Sequence, residues 1–125
     1  GLIFKEFGEE PRWRRVAASV VSNRDQLKTT KDLAELAVKV LGYRKHQKIH
    51  PATKIFQALR IEVNQELEAL SKSLPNAIES LKPGVGRLCV ISFHSLEDRL
   101  VKRSFTEFSE IQGGVEVLTK RPLIP

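Results

Sequence analysis

Apolar residues recur along most of this chain at the three- and four-residue spacing of helices, and once as an unbroken run. Trp13, Val16, Ala17, Val20 and Val21 form a first stripe, with Arg12, Arg14, Arg15 and Ser19 off it. Glu9-Glu10-Pro11 ahead of them marks a helix start, because carboxylates favour the positive end of the helix dipole and proline suits the first helical position. A second helix is bounded by a Thr29/Asp32 capping box and by Gly42, with Leu33, Leu36, Ala37, Val40 and Leu41 as its apolar face. Tyr43 to Pro51 is polar, cationic and without period, which reads as a loop. Helical spacing resumes at Ala52. Ile55, Phe56, Leu59, Val63, Leu67, Leu70 and Leu74 predict one long helix that reaches Pro75, where a short helix through Ile78 and Leu81 begins. Lys82-Pro83-Gly84 is its turn.

From Arg87 to Phe93 the hydrophobicity is continuous rather than periodic, the pattern of a strand buried on both faces in a parallel sheet. Ser95 and Asp98 make a second capping box, opening a helix with Leu96, Leu100, Val101 and Phe105 inward. Val115 to Thr119 reads as a further strand. The expected fold class is therefore α/β.

Composition narrows the setting. At 125 residues, 41% hydrophobic and 29% charged, the chain is one ordinary domain's worth of globular sequence, not a collagen-like or wholly disordered one. Its longest apolar run is far short of the roughly 20 residues of a membrane span. Cys89, the single cysteine, excludes an intrachain disulfide and a multi-cysteine zinc site, and points to a reducing, cytoplasmic compartment. The chain opens on Gly1 and contains no Met, so it reads as an excerpt. The net charge of +6 is uneven: residues 1 to 60 carry 13 Lys and Arg against 6 Asp and Glu, residues 61 to 125 carry 8 against 9. A concentrated cationic half favours a polyanionic partner, since phosphate contacts release counterions.

Chemistry concentrates where the predicted strand gives way to a helix. His94, Ser95, Glu97, Asp98 and Arg99 crowd one turn there, and ligands of open α/β sheets bind beyond the carboxyl ends of strands. A purely structural cap is the competing reading for Ser95 and Asp98. Adjacent His94 and Ser95 cannot adopt base-to-nucleophile geometry, which argues against a serine hydrolase. His46 and His50 have helical metal-ligand spacing, but Gln47 stands where a zincin needs Glu and Pro51 interrupts the helix, so no metal is expected. Gly84-Val85-Gly86 precedes its strand, whereas phosphate-cradling loops follow one, so no cofactor cradle is visible. Arg12, Arg14 and Arg15 sit at a helix start, against the dipole; they serve a ligand or are solvated beside Glu9 and Glu10. No short turn joins the first helices as a helix-turn-helix reader requires.

Two stretches go further. His50-Pro51-Ala52-Thr53-Lys54-Ile55-Phe56-Gln57-Ala58-Leu59-Arg60-Ile61-Glu62-Val63-Asn64-Gln65-Glu66-Leu67 and Val90-Ile91-Ser92-Phe93-His94-Ser95-Leu96-Glu97-Asp98-Arg99-Leu100-Val101-Lys102 together resemble the bacterial small-subunit ribosomal RNA methyltransferase H family, of MraW type. Phe7-Gly8-Glu9-Glu10 resembles the family's Tyr-Gly-Glu-Glu, and Leu118-Thr119-Lys120-Arg121-Pro122 its closing strand. Pro83-Gly84-Val85-Gly86-Arg87 departs from the usual Pro-Gly-Gly-Arg by one residue.

The resemblance implies the carboxy-terminal portion of an enzyme that methylates N4 of a decoding-site cytosine in 16S rRNA, with S-adenosylmethionine as donor. It implies part of a class I, Rossmann-like sheet over residues 50–125, preceded at 1–49 by part of an inserted all-helical lobe in contact with RNA. The family's glycine-rich cofactor loop has no counterpart here, so no cofactor-binding residue is assigned and the isolated fragment is expected to be inactive. His94, Ser95, Glu97 and Asp98 become the candidates for methyl transfer. Arg12, Arg14, Arg15, Arg44, Lys45, Lys48, Arg60, Asn64 and Arg99 become the candidates for RNA binding, although Arg60 and Asn64 serve equally well as a brace. The small ribosomal subunit is the expected partner, with no DNA, no membrane, and a second copy of the chain left open. The competing function is a non-catalytic RNA-binding module with a basic helical half.

Overall fold

The computed structural model describes residues 1–43, 48–112, 114–119 and 121–123. The chain divides into two units, Gly1–Gln65 and Glu66–Pro125. The first holds α1 (Leu2–Glu6), α2 (Trp13–Ser22), α3 (Thr30–Leu41) and α4 (Ala52–Asn64); the second holds α5 (Glu66–Glu79), α6 (Ser95–Glu107) and a π-helical segment, Phe108–Gln112.

In the first unit, α1 packs on α2 and α4, and α3 on α2 and α4. Phe4, Val16, Ala37, Val40, Leu41, Ala52, Ile55 and Ala58 form the shared core, with Trp13 packed against it. Small residues on α4 let its neighbours come close, and the turn after α1 exploits this. A Cβ on Gly8 would stand 2.8 Å from the Phe4 carbonyl oxygen and 2.9 Å from that of Lys54, so only glycine fits. Side chains of α4 hold that turn: the Gln57 amide donates to the Phe7 carbonyl at 3.1 Å and Lys54 Nζ to the Glu9 carbonyl at 3.2 Å. The Thr29/Asp32 capping box of α3 is present in both directions, and Gly42 ends the helix at φ +75°. The predicted start of α2 shifts, with Arg12 at the N-cap and Pro11 outside the helix.

The long helix expected from Ala52 to Pro75 is broken elsewhere. Gln65 adopts the left-handed conformation (φ 52°, ψ 38°) and separates α4 from α5, while α5 continues through Pro75. The periodicity was real on each side of the break but belonged to two different faces: α4 buries Ala52, Ile55, Ala58 and Ile61 and leaves Val63 exposed, whereas α5 buries Leu74 and Ile78. A proline inside a helix forfeits one backbone hydrogen bond. Here Leu74 and Ile78, one on either side of it, anchor the turn by burial.

The α/β expectation, with part of a class I Rossmann-like methyltransferase sheet, is overturned: the described residues form helices and no strand or sheet. Residues 87–93 lie outside any helix, and because a strand exists only as a hydrogen-bonded pair, they form none: no neighbouring backbone supplies a ladder among the described residues. Their exposure alternates. Leu88, Val90 and Ser92 are half-buried, while Cys89, Ile91 and Phe93 are exposed, the last two at 79% and 86%. Residues 115–119 are likewise unpaired. Continuous hydrophobicity signals a demand for burial without naming the partner that meets it. The preceding turn, with its additional residue, closes through the Gly86 amide donating to the Lys82 carbonyl at 2.7 Å. No helix among the described residues is long and apolar enough to cross a membrane.

Candidate functional site at the cap of the last helix

The polar turn identified in the sequence is a helix cap whose parts lock one another. His94 is the N-cap residue of α6 in extended conformation (φ −150°, ψ 165°), and its Nδ1 accepts the Glu97 backbone N–H at 3.3 Å. Glu97 returns the contact: its Oε2 accepts the Phe93 backbone N–H at 2.7 Å, and its Oε1 lies 3.5 Å from His94 Nε2. The cap is therefore His94 with Glu97, one residue ahead of the expected Ser95 with Asp98. Serine and aspartate are the usual capping types, and a histidine performs the same office only because its ring nitrogen offers a lone pair at the right distance. Ser95 becomes the first, exposed residue of the helix.

This assignment sets the chemistry of the ring. Because Nδ1 accepts, a neutral His94 carries its proton on Nε2. That atom is fully buried and makes no hydrogen bond, in a side chain only 8% exposed. A second carboxylate is near the ring: Glu66, the first residue of α5, brings an oxygen within 4.8 Å of a His94 ring nitrogen and a Glu97 oxygen. Sequence reasoning missed Glu66, which lies far from the turn in the chain and carries no local signal. The three groups are close enough to surround a cation. A metal on Nε2 would require a proton on Nδ1, pointing donor to donor at the Glu97 N–H, so binding it would dismantle the cap. The cap as built disfavours a metal on this ring.

Asp98 differs from Glu97. Its backbone N–H donates to the His94 carbonyl at 3.2 Å, but its carboxylate has no hydrogen bond or ion pair among the described residues. It is half-buried and chemically uncommitted. One turn further on, Arg99, Lys102 and Arg103 line a cavity of about 460 Å³ on the exposed side of α6.

The remaining candidates lie in the first unit. Arg14 and Arg15 are exposed in the first turn of α2, and the Arg14 guanidinium stacks on the Trp13 ring at 4.6 Å, which partly offsets its position against the helix dipole. Arg12 contacts the buried Glu10 carboxylate. Lys48 is exposed, as are Arg60 and Asn64 on α4. Arg44 and Lys45 lie outside the described residues, as do His46 of the rejected zinc pair and Lys120 of the closing motif.

The polar turn at the start of α6 thus gathers one histidine and two carboxylates, Glu66 and Glu97, with the Asp98 carboxylate next to Glu97 in sequence. Comparison with known proteins gives the family. The MraW methylase family model matches residues 1–125, and the chain belongs to that family. It is similar to proteins named ribosomal RNA small subunit methyltransferase H from Thermomicrobium roseum (55% identity over 105 residues, 82% of this chain and 32% of that protein). Those of Trichodesmium erythraeum (50% identity, 98% of this chain and 42% of that protein) and Chlamydia trachomatis serovar L2 (51%, the whole of this chain and 42% of that protein) are similar too. The chain thus spans about a third to two-fifths of the length of these curated relatives.

Proposed function

We propose that this chain is the acceptor-side portion of an S-adenosylmethionine-dependent methyltransferase that modifies N4 of a decoding-site cytosine in the 16S rRNA of the small ribosomal subunit. The observation that carries this reading is the uncommitted Asp98 carboxylate beside the locked His94–Glu97 cap, in a chain of the MraW methylase family. Residues 1–49 supply RNA contacts and residues 50–125 contribute to methyl transfer. The protein works in the cytoplasm, where its ribosomal substrate is.

The donor is that of methyltransferases generally, and no residue of this chain is assigned to it. Gly84 and Gly86 belong to a turn that closes on itself, with the space at Gly86 filled by Leu81 and Lys82 rather than open to a ligand. The chemistry assigned to this chain is accordingly confined to the base that receives the methyl group.

An aromatic exocyclic amine is a weak nucleophile because its lone pair is delocalised into the ring. As N4 forms its bond to carbon it becomes cationic, and a proton must leave it. Asp98 is the group free to accept that proton, with a general-base contribution of roughly 10²- to 10⁴-fold. Ser95, exposed at the same turn, can hydrogen-bond the flipped base. His94 and Glu97 are positioning residues: their reciprocal bonds fix the first turn of α6 and hence the place of the Asp98 carboxylate. Arg99 neutralises backbone phosphate beside the base.

Methyl transfer to small ribosomal subunits by the full-length protein tests this. Asp98→Asn, which keeps shape and removes the base, lowers turnover at least a hundredfold without changing thermal stability. His94→Asn retains a capping side chain and loses the imidazole; it lowers turnover about tenfold, equivalent to ~1.4 kcal/mol, at nearly unchanged stability. Full turnover in a folded Asp98→Asn protein would refute the assignment.

A further inference from the structure

We infer that the first unit carries a subsite for one nucleotide of single-stranded RNA, in the cleft between the end of α3 and the start of α4. The inference rests on the reading that the protein acts on RNA, and deepens it by placing a base as well as phosphates.

The cleft has a volume of about 330 Å³ and brings together residues distant in sequence. Arg12, Lys48 and Lys54 line it, against one carboxylate, that of Glu10. Glu10 is itself occupied by Arg12, whose backbone N–H donates to Oε1 at 3.0 Å and whose Nε lies 3.8 Å away. Lys54 spends one of its three donors on the Glu9 carbonyl, and the Lys48 ammonium has no partner among the described residues. The cleft therefore carries cationic capacity that the fold does not use internally.

Its opposite character is aromatic and apolar. Leu41 and Pro51, both buried, form part of the wall. His50 also lines it, and its ring meets that of Tyr43 in a tilted contact, at 49° with centroids 5.1 Å apart. The His50 ring is held in place because Nδ1 accepts the Ala52 N–H at 3.1 Å. Tyr43 is half exposed. An anchored His50 ring with the half-exposed Tyr43 ring against it, beside the Lys48 ammonium, matches what single-stranded nucleic acid offers, a π-face and a phosphate one sugar apart. An acidic peptide would use the cations and leave the rings idle. A duplex would present no open base face.

Fluorescence anisotropy with a short labelled single-stranded RNA, on the full-length protein across a salt series, tests the subsite. Tyr43→Ala is expected to weaken binding roughly five- to hundredfold at an unchanged salt slope, the loss of one stacked base, and Tyr43→Phe to restore it. Lys48→Gln is expected to flatten the logarithmic salt slope by about 0.7, the loss of one phosphate contact. Lys31→Gln, on an exposed turn of α3, serves as the control and changes neither. Wild-type affinity and slope in both Tyr43→Ala and Lys48→Gln, with intact thermal melts, would overturn the subsite while leaving ribosomal RNA as the substrate if methyl transfer persists. Equal competition by polyglutamate would overturn it in favour of an acidic protein partner. Absence of any RNA binding or ribosomal methylation by the wild type would defeat both this inference and the function on which it rests.

Discussion

The two units of this chain meet the cost of ordering a backbone in different ways. The first closes on itself: four helices share eight buried apolar residues, a two-way capping box starts α3, and a glycine admits the closest backbone approach. The second buries Leu74, Ile78 and Phe108, has no buried residue on α6, and presents Ile91 and Phe93 to solvent. Similar hydrophobic content thus produces a self-sufficient core in one case and an unmet demand for burial in the other. Helical periodicity encodes its own satisfaction, because backbone hydrogen bonds are local; an extended apolar segment depends on whatever lies beside it.

The comparison predicts unequal sensitivity to mutation. Ile55→Ala, at a fully buried position of the first core, should destabilise by about 2 to 5 kcal/mol in denaturant unfolding, whereas Phe93→Ala in this chain should change stability by no more than about 0.5 kcal/mol. A comparable loss at Phe93 would mean that the second unit hides more of its apolar surface than its exposure indicates.

Smaller effects separate the two helix caps. Thr29→Ala removes a side-chain acceptor of the Asp32 N–H and should cost about 0.5 to 2 kcal/mol. His94→Ala should cost a similar amount, and His94→Asn only a few tenths, because asparagine caps as well as serine does. If His94→Asn were as damaging to stability as His94→Ala, packing of the imidazole rather than its lone pair would hold the cap.

The smallest effect is in the acid limb. Bonding to Thr29, through its side chain and its backbone N–H, together with the Lys28 N–H, holds the Asp32 carboxyl below its ordinary 3.8. The folded value being the lower one, its contribution is complete above the ordinary value and is lost as pH falls through the folded one. In the second unit Glu68 is also lowered, through its hydrogen bond with Lys72 and the charge of that lysine. Asp32 is held by a helix end and Glu68 by an ion pair exposed to solvent. Added salt should therefore abolish the acid sensitivity removed by Glu68→Gln and spare most of that removed by Asp32→Asn, measured as helicity by circular dichroism between pH 5 and the acid limit.

How far the chain could be read in advance follows the same division. The cap and stop of α3 were legible because Thr29, Asp32 and Gly42 act within a turn of the helix they bound. The break at Gln65 was not: a left-handed glutamine carries no composition signal, and the leucines after it kept the period going in a new phase. The helix start after Phe93 was legible, yet the capping pair was misplaced by one residue, since histidine is an uncommon cap. Glu66 beside His94, and the gathering of Arg12 with Lys48 and Lys54 around the first-unit cleft, needed tertiary proximity to be seen. The MraW methylase family could be identified from its two dense motifs although the sheet expected with it is absent from the described residues.

Cys89 is exposed within the 87–93 segment, and the chain has no other cysteine and no methionine. Oxidative chemistry on sulfur has a single address in this sequence. A thiol reagent therefore counts one group per chain, and its rate of reaction at Cys89 measures how long that segment stays open to solvent. A molecule that covers Ile91 and Phe93 and reaches as far as Cys89 would protect the sulfur, turning an otherwise silent docking event into a change of reaction rate.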